Sequence, residues 1–457
     1  MKTHIFIYTI LAILLLQVSL SCEKMLEVDV PENQIPTESV FETVQTANAA
    51  LAELYAGLWN SSPLAGNQTG RLLGSYTDDL TYYGTNSTTG LYDIFQNQQI
   101  DSNASISTYW ASAYRLVYVS NAILEGTEKS TTIPATEKQR IKGEALMVRS
   151  ILFFYLQQVF GDIPYPTSTD YQINQSLSKI QSSDVLTQLE NDLNTSISLL
   201  TDAYRSTERI IPNRKVAQLM LAKIYMLQSK WNNAETLLRT ITQSSLYQPE
   251  NDLSKVFTKS GSHILWQLKP KNNGDATQEV TAYYFTGAAP SNYALSQNLV
   301  NIFTAGDQRK NQWIATVTVG QNTWYRAAKY KALTNNTSEF SVVFRLEEVY
   351  LLLAETLAQQ DKIADALPYL NVTRQRATLA ALVMPISKQS LLDEILLENR
   401  KEFFTEMGHR FLDLKRMNRL NDLLPIKTNW KSYHSFWPLP QKELLLNPNL
   451  NPQNTGY

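Results

Sequence analysis

The sequence is poor in residues that carry thiol or imidazole chemistry. Cys22 is the only cysteine among 457 residues, and there are only four histidines. No intrachain disulfide can form, so a packed core has to stabilise the chain. No cysteine pair is available for a thiolate metal site, and the HExxH pattern of zinc-binding helices is missing. The composition therefore argues against a thiol enzyme and against a zinc protease.

Phosphate-binding and nucleophile motifs are missing as well. The sequence contains no GxGxxG, no P-loop and no GxSxG, so nothing in it supports nucleotide binding or an α/β-hydrolase. Neither sign of charge dominates, because 40 Lys and Arg face 42 Asp and Glu for a net charge of −2. A protein that binds nucleic acid by neutralising phosphates usually has a basic surface. We therefore expect no nucleic-acid partner and no cofactor.

Long apolar runs are confined to the N-terminus. Lys2 precedes an apolar run that is too short to span a bilayer, and Ser19 and Ser21 lead into Cys22. This order is similar to a bacterial lipoprotein signal. It predicts a signal peptide at residues 1–21, lipid attachment at Cys22 and a polar tether at residues 22–40. The alternative is a plain secretory signal followed by a chance cysteine. After Cys22 no apolar stretch is long enough to predict a membrane-spanning helix.

Apolar residues recur at helical spacing over two regions, about 105–244 and 345–420. Within them "LAKIYMLQSKWNNAETLL", which starts at Leu221, matches "LAETLAQQDKIADALPYL", which starts at Leu353, 132 residues later. The pattern resembles tetratricopeptide repeats, in which small residues let two antiparallel helices pack closely. We predict a mostly α fold with an interrupted TPR-type scaffold of helical pairs. We also expect Pro368 to kink or shorten the second copy.

Two regions lack this periodicity. Residues 60–103 are rich in Gly, Ser, Thr, Asn and Tyr, which is typical of a binding loop or of disorder, and the aromatics favour binding. Residues 260–340 contain "SHILWQLKP", "EVTAYYF", "QWIATVTVG" and "TWYRAAKYKA", whose β-branched and aromatic residues predict a small, irregular β-containing insertion.

Acidic residues form two groups that could carry chemistry. A helical stretch contains Glu398, Glu402, Glu406 and Asp413. Paired carboxylates can serve a glycosidase, but this spacing among basic residues favours ion pairs within and between helices. Asp78 and Asp79 could bind calcium, but two carboxylates without further ligands favour loop capping.

Several motifs together resemble the SusD/RagB family of nutrient-binding outer-membrane lipoproteins of Bacteroidota. They are "GEALMVRSILFFYLQQVFGDIPY", "FRLEEVYLLLAETLAQQDKIADALPYLNVTRQRA", "LLDEILLENRKEFFTEMGHRFLDLKRM" and the ending "NPNLNPQNTGY". The likeness covers nearly the whole mature chain. Asn399, Met407 and Thr455 depart from the family pattern at scaffold positions. The resemblance implies one SusD-like domain over residues 41–457, located at the outer membrane.

The resemblance also implies a function without catalysis. Family members capture a nutrient, often a glycan, and deliver it to a SusC-like TonB-dependent β-barrel transporter. A sugar site needs aromatic faces and polar groups, and we expect regions 60–103 and 260–340 to supply them. The predicted ligand-binding residues are Arg71, Asp79, Tyr82, Tyr83, Asn86, Tyr92, Tyr283, Tyr284, Trp313 and Trp324. The alternatives are a TPR-type protein-binding scaffold and a surface glycosidase.

Overall fold

Helices form most of the chain before the insertion. A computed structural model describes residues 40–85 and 89–457. The first elements are α1 (Val44–Asn60), α2 (Thr69–Tyr76), β1 (Leu80–Tyr82), α3 (Leu91–Gln96), α4 (Ala104–Lys129), α5 (Ala135–Phe160), α6 (Tyr171–Asn174), α7 (Ser182–Leu199), α8 (Arg214–Leu227) and α9 (Trp231–Thr242). The long helix α5 is buried on all sides from Gly143 to Phe160, which makes it the centre of the helical core.

The insertion follows α9 and contains short helices and strands. Its elements are β2 (Ile264–Leu268), α10 (Gln278–Tyr283), β3 (Tyr293–Leu295), α11 (Gln297–Asn301), α12 (Gln308–Trp313), β4 (Ile314–Val319), β5 (Asn322–Ala327) and β6 (Ser341–Arg345). The strands form three antiparallel pairs, β1 with β3, β2 with β6, and β4 with β5.

Helices return directly after β6. They are α13 (Leu346–Gln359), α14 (Ile363–Arg376), α15 (Lys388–Phe403), α16 (His409–Arg416) and α17 (Gln441–Leu446), with short 3₁₀ turns between and after the last two. Helices α4, α5, α7, α8, α9 and α13 each pack on the next, so one stack runs through both parts of the chain. The predicted mostly α fold class is confirmed.

The two matching stretches form equivalent helical pairs, α8 with α9 and α13 with α14. The turn residues Ser229 and Asp361 both have positive φ angles, 57° and 62°. The next residues, Lys230 and Lys362, share φ −83° with ψ of 63° and 57°. The two pairs also pack on each other through α9 and α13, although 103 residues (243–345) separate the pairs in sequence. The insertion therefore interrupts the array in sequence and leaves it continuous in space.

The expected shortening at Pro368 is wrong. Helix α14 continues through Pro368 to Arg376. Pro368 cannot donate to the carbonyl of Ala364, but both residues are exposed, so water can bond that carbonyl.

Two local expectations are also corrected. Residues 60–103 are not one long loop, since they contain α2, β1 and α3. The stretch "EVTAYYF" is mostly the helix α10 and not a strand. Thr277 caps α10 by accepting a hydrogen bond from the Val280 N–H, so the cap outweighs the β-branched residues that follow.

Two hydrophobic cores divide the described residues. The larger one fills the helical stack. The second joins Leu80 and Tyr82 of β1 to apolar residues of the insertion and to Phe404, which follows α15. No helix in the described ranges is both long and apolar enough to span a membrane. The predicted signal peptide, the lipid site Cys22 and nearly all of the tether lie outside those ranges.

Candidate ligand-binding surface

The two regions that the sequence predicts as ligand-binding meet in space. Strand β1 pairs with β3, which places Tyr82 opposite Tyr293. The pairing extends beyond the strands, because the Tyr83 N–H donates to the Asn292 carbonyl at 2.6 Å and the Ser296 hydroxyl donates to the Asp78 carbonyl at 2.5 Å. Residues from both regions therefore share one surface.

The hairpin β4–β5 lies beside β3 and adds a further strand to this surface. Side chains alternate across a strand, so Trp324 and Arg326 lie on one face of β5 and Tyr325 lies on the other. Tyr325 packs against the second core, whereas Trp324 and Arg326 are half-buried. The outer face of β5 therefore carries one indole and one guanidinium.

Two exposed tyrosines complete this face. Tyr83 is 43% exposed, and its phenol lies close enough to the Trp324 side chain to interact with it. Tyr284 directly follows α10 and is 39% exposed, and the Arg326 guanidinium carbon lies 4.6 Å from its ring centroid. We call Tyr83, Tyr284 and Trp324 the aromatic platform. Partial burial raises the pKa of Tyr83, so its phenol stays protonated and can donate a hydrogen bond at neutral pH.

Three predicted residues lie beneath the platform and not on it. Tyr82, Tyr283 and Trp313 belong to the second core, and Trp313 is only 1% exposed. The Trp313 indole N–H donates to the Leu253 carbonyl at 2.9 Å, and the Tyr82 ring centroid lies 4.9 Å from that of Tyr293. Their burial corrects the expectation that they contact a ligand, because their faces already pack against protein. They support the strands that carry the platform.

Asp79 is corrected in the same way. It is 2% exposed and accepts a hydrogen bond from Arg400 Nε at 2.9 Å. Its neighbour Asp78 binds Arg400 and Arg410, which outweigh burial and lower its pKa. Burial raises the pKa of Asp79. The pair therefore attaches the turn before β1 to α15 and α16. Among the described residues, no group of three or more acidic, His or Cys side chains is placed to hold a metal ion.

The remaining predicted residues have different positions. Arg71 on α2 is half-buried, with its guanidinium carbon 5.8 Å from the Tyr293 ring centroid. Tyr92 on α3 is partly exposed, and no described contact joins it to the platform. Asn86 lies outside the described residues.

The acidic residues in α15 and in the turn before α16 form ion pairs with buried cations. Glu402 accepts from Arg345 at 2.5 Å and from Arg309 at 3.2 Å, and it also contacts Arg376. Glu406 binds Lys329 at 2.5 Å and Arg345 at 2.9 Å. The predicted ion pairs are confirmed. The partners were not foreseen, since most of them come from the insertion and from α14.

Arg326 and Tyr293 were missed at the sequence level. The alternation in "TWYR" could have indicated Arg326, because a strand that exposes Trp324 also exposes the residue two positions later. Nothing in the sequence indicates Tyr293, which takes its place by pairing with a strand more than 200 residues earlier.

Comparisons with known proteins agree with this architecture. A family model described as starch-binding and associating with the outer membrane matches residues 25–226, and the SusD family model matches residues 242–457. A curated SusD-like protein, P25 of Formosa agariphila, is 23% identical over 96% of this chain and 97% of its own length.

Solved structures share the fold. A SusD superfamily protein from Bacteroides vulgatus has a TM-score of 0.79 at 21% identity, over 91% of this chain and all of that one. Surface glycan-binding protein A from Bacteroides thetaiotaomicron, solved with laminarihexaose, has a TM-score of 0.76 at 18% identity, over 90% of this chain and 99% of that one. From the two family matches, the relatives and the fold, we conclude that this chain belongs to the SusD/RagB family.

Proposed function

We propose that the protein is a cell-surface glycan-binding protein that captures its ligand on the aromatic platform. The observation that carries the proposal is the convergence of Tyr83, Trp324 and Tyr284 from two distant regions onto one partly exposed face. Large aromatic side chains that stay exposed in a folded protein are typical of binding surfaces. The laminarihexaose complex of a protein with the same fold gives independent support for an oligosaccharide ligand.

The chemistry of the platform suits a sugar ring. Aromatic faces pack against the C–H side of a pyranose, while phenol, indole and guanidinium groups donate to its hydroxyls. Trp324 lies beside the Tyr83 phenol, and Tyr284 packs against the Arg326 guanidinium. Because these contacts fix the side chains before a ligand arrives, binding costs less conformational entropy.

Delivery to a transporter is the second part of the proposal. The protein is attached to the outer membrane by a lipid on Cys22 and presents captured glycan to a SusC-like TonB-dependent barrel. The description of the matched family as associating with the outer membrane supports this location. Anchoring beside the barrel raises the effective ligand concentration at the pore, so moderate affinity is sufficient.

We also propose that the protein does not cleave its ligand. The acidic residues first considered for a glycosidase are buried in ion pairs, and Glu402 is held ionised by three arginines. A glycosidase needs one carboxyl that can donate a proton beside the bond to be cleaved. Glu398, Glu402 and Asp413 are almost completely buried, so a glycosidic bond cannot reach them.

Calorimetric titration tests the proposed function. The full chain, purified in detergent, is titrated with laminarihexaose, other oligosaccharides and short peptides, and the oligosaccharides are then analysed for cleavage. We expect saturable binding of one oligosaccharide class without cleavage. Cleavage would support the surface glycosidase. A chain that binds no oligosaccharide but still associates with the barrel would support the protein-binding scaffold.

A further inference from the structure

Two arginines beside the platform have no acidic partner. Arg71 and Arg326 are half-buried, yet neither forms an ion pair with any residue in the described ranges. The Nε atom of each is buried and has no hydrogen-bond partner among the residues that the structure describes. A guanidinium is always charged, and burying part of it without a counter-charge is unfavourable.

Several other buried cations of this protein form ion pairs with carboxylates. Arg309 binds Asp307 at 2.8 Å and Glu398 at 2.7 Å, and Lys223 binds Glu348 at 2.6 Å. The buried arginines Arg149, Arg309, Arg345 and Arg400 each have a carboxylate partner. Arg71 and Arg326 depart from that rule, and both lie next to the surface proposed to bind ligand.

The local charge remains positive at neutral pH. Asp79, which directly precedes β1, is already bound to Arg400. Glu279 on α10 accepts a hydrogen bond from Ser341 at 2.7 Å, and burial raises its pKa to about 7, so much of it is neutral at that pH. An anion that arrived here would meet two uncompensated positive charges.

Both guanidiniums lie over tyrosine rings, Arg71 over Tyr293 and Arg326 over Tyr284. The charge of Arg71 acts on the Tyr283 phenol, and Arg326 stacks on the ring of Tyr284. Arg71 also lies over the ring of Tyr293 on β3, and β3 packs beside β5, the strand that carries Arg326. A guanidinium that stacks on a ring still has its in-plane N–H groups free for an oxyanion.

From this geometry we infer that the glycan bound by the platform is anionic, and that Arg71 and Arg326 contact its carboxylate or sulfate groups. The inference rests on the proposed function, since it names the class of ligand for the same surface. Arginine suits this task because its forked donors match the two oxygens of a carboxylate or a sulfate.

The test compares ligands of equal length and different charge. The full chain in detergent is titrated with laminarihexaose, with a galacturonate hexamer and with a sulfated carrageenan hexamer, each at low and high salt. The two acidic ligands separate a carboxylate site from a sulfate site. We expect one of them to bind at least about tenfold more tightly than laminarihexaose, and the advantage to shrink at high salt.

Variants assign the effect to the two arginines. Arg71→Gln and Arg326→Gln should each weaken the acidic ligand about tenfold and weaken a neutral glucan by a clearly smaller factor, because glutamine keeps a hydrogen-bond donor but loses the charge. Arg115→Gln is the matched control, because Arg115 is exposed on α4 and has no ion pair with a described residue. It should change nothing.

The outcomes separate the two proposals. If laminarihexaose binds as well as both acidic ligands, or if the glutamine variants keep their affinity, the anionic class is refuted while glycan binding stands. If none of the three ligands binds, the proposed function fails and this inference fails with it. In the first case the arginines serve only to hold Tyr293 and Tyr284 in place.

Discussion

Replacing Glu402 with glutamine should destabilise the protein strongly. Glu402 is fully buried and faces Arg309, Arg345 and Arg376. Glutamine has the same shape but no charge, and its amide would point N–H groups at guanidinium donors. Removing one partner of a buried ion pair costs about 3–5 kcal/mol, and solvent does not screen this site. Because each arginine keeps another carboxylate, we expect a loss of about 4 kcal/mol in the free energy of unfolding.

The effect should depend on pH in a defined direction. Burial would raise the pKa of Glu402, but Arg376, Arg345 and Arg309 outweigh it and hold the pKa well below the ordinary value. An unfolded glutamate has a pKa of about 4.3, so the contribution is complete above that pH and is lost as the pH falls below it. The difference between the wild type and Glu402→Gln should therefore shrink from about pH 5 downward.

Urea unfolding of the full chain, followed by circular dichroism at several pH values, measures this difference. Glu128→Gln is the matched control, because Glu128 forms an exposed ion pair with Lys142 on the surface. It should leave the midpoint unchanged. A loss below about 1 kcal/mol for Glu402→Gln at pH 7, or a loss that is equal at pH 7 and pH 4, would refute the claim that this network stabilises the fold.

Two further substitutions test packing and a buried charge. Gly70→Ala should lower the free energy of unfolding by about 2 kcal/mol in urea, since its Cβ would lie 2.2 Å from the Thr405 carbonyl oxygen. Gly306→Ala, with open space around it, should have little effect, and equal losses for both variants would contradict this explanation. Burial lowers the pKa of Lys415 to about 7, where its ammonium lies 3.7 Å from the Phe436 ring centroid. Because the unfolded lysine binds its proton up to about pH 10, the wild type should gain stability relative to Lys415→Met between pH 7 and pH 10, and parallel curves in urea unfolding would exclude this.

The helical scaffold can be predicted directly from the sequence. The match between Leu221 and Leu353 predicts two equivalent helical pairs, and the equivalence extends to the backbone angles of Ser229 and Asp361. Helical periodicity is a local signal, so it survives without knowledge of the rest of the fold. The two regions that we propose to bind ligand also stand out in the sequence, because Gly, Asn and aromatic residues interrupt that signal.

Individual site residues were harder to predict, because exposure depends on contacts that are distant in sequence. Trp313 and Trp324 are both tryptophans of the insertion. Trp313 packs in the second core, whereas Trp324 lies on the outer face of β5. From the sequence, Asp79 looks like an acidic loop residue. Only the structure shows that it forms a buried ion pair with Arg400. The glycines of residues 60–103 suggested a loop. Gly70 lies instead in the helix α2, where the close approach of the Thr405 backbone leaves no room for a Cβ.

Glycan affinity after removal of the platform tests whether the platform binds the glycan. The double variant Tyr83→Ala/Trp324→Ala is compared with wild type by calorimetry against the best oligosaccharide, with circular dichroism to show that it folds. Tyr171→Ala is the control, because Tyr171 is 75% exposed on α6 and is not part of the platform. Packing of a sugar ring on an aromatic side chain contributes on the order of 1 kcal/mol per ring. Affinity should therefore fall by at least about tenfold in the double variant and remain unchanged in the control. A folded double variant that binds as tightly as the wild type would show that the ligand lies elsewhere.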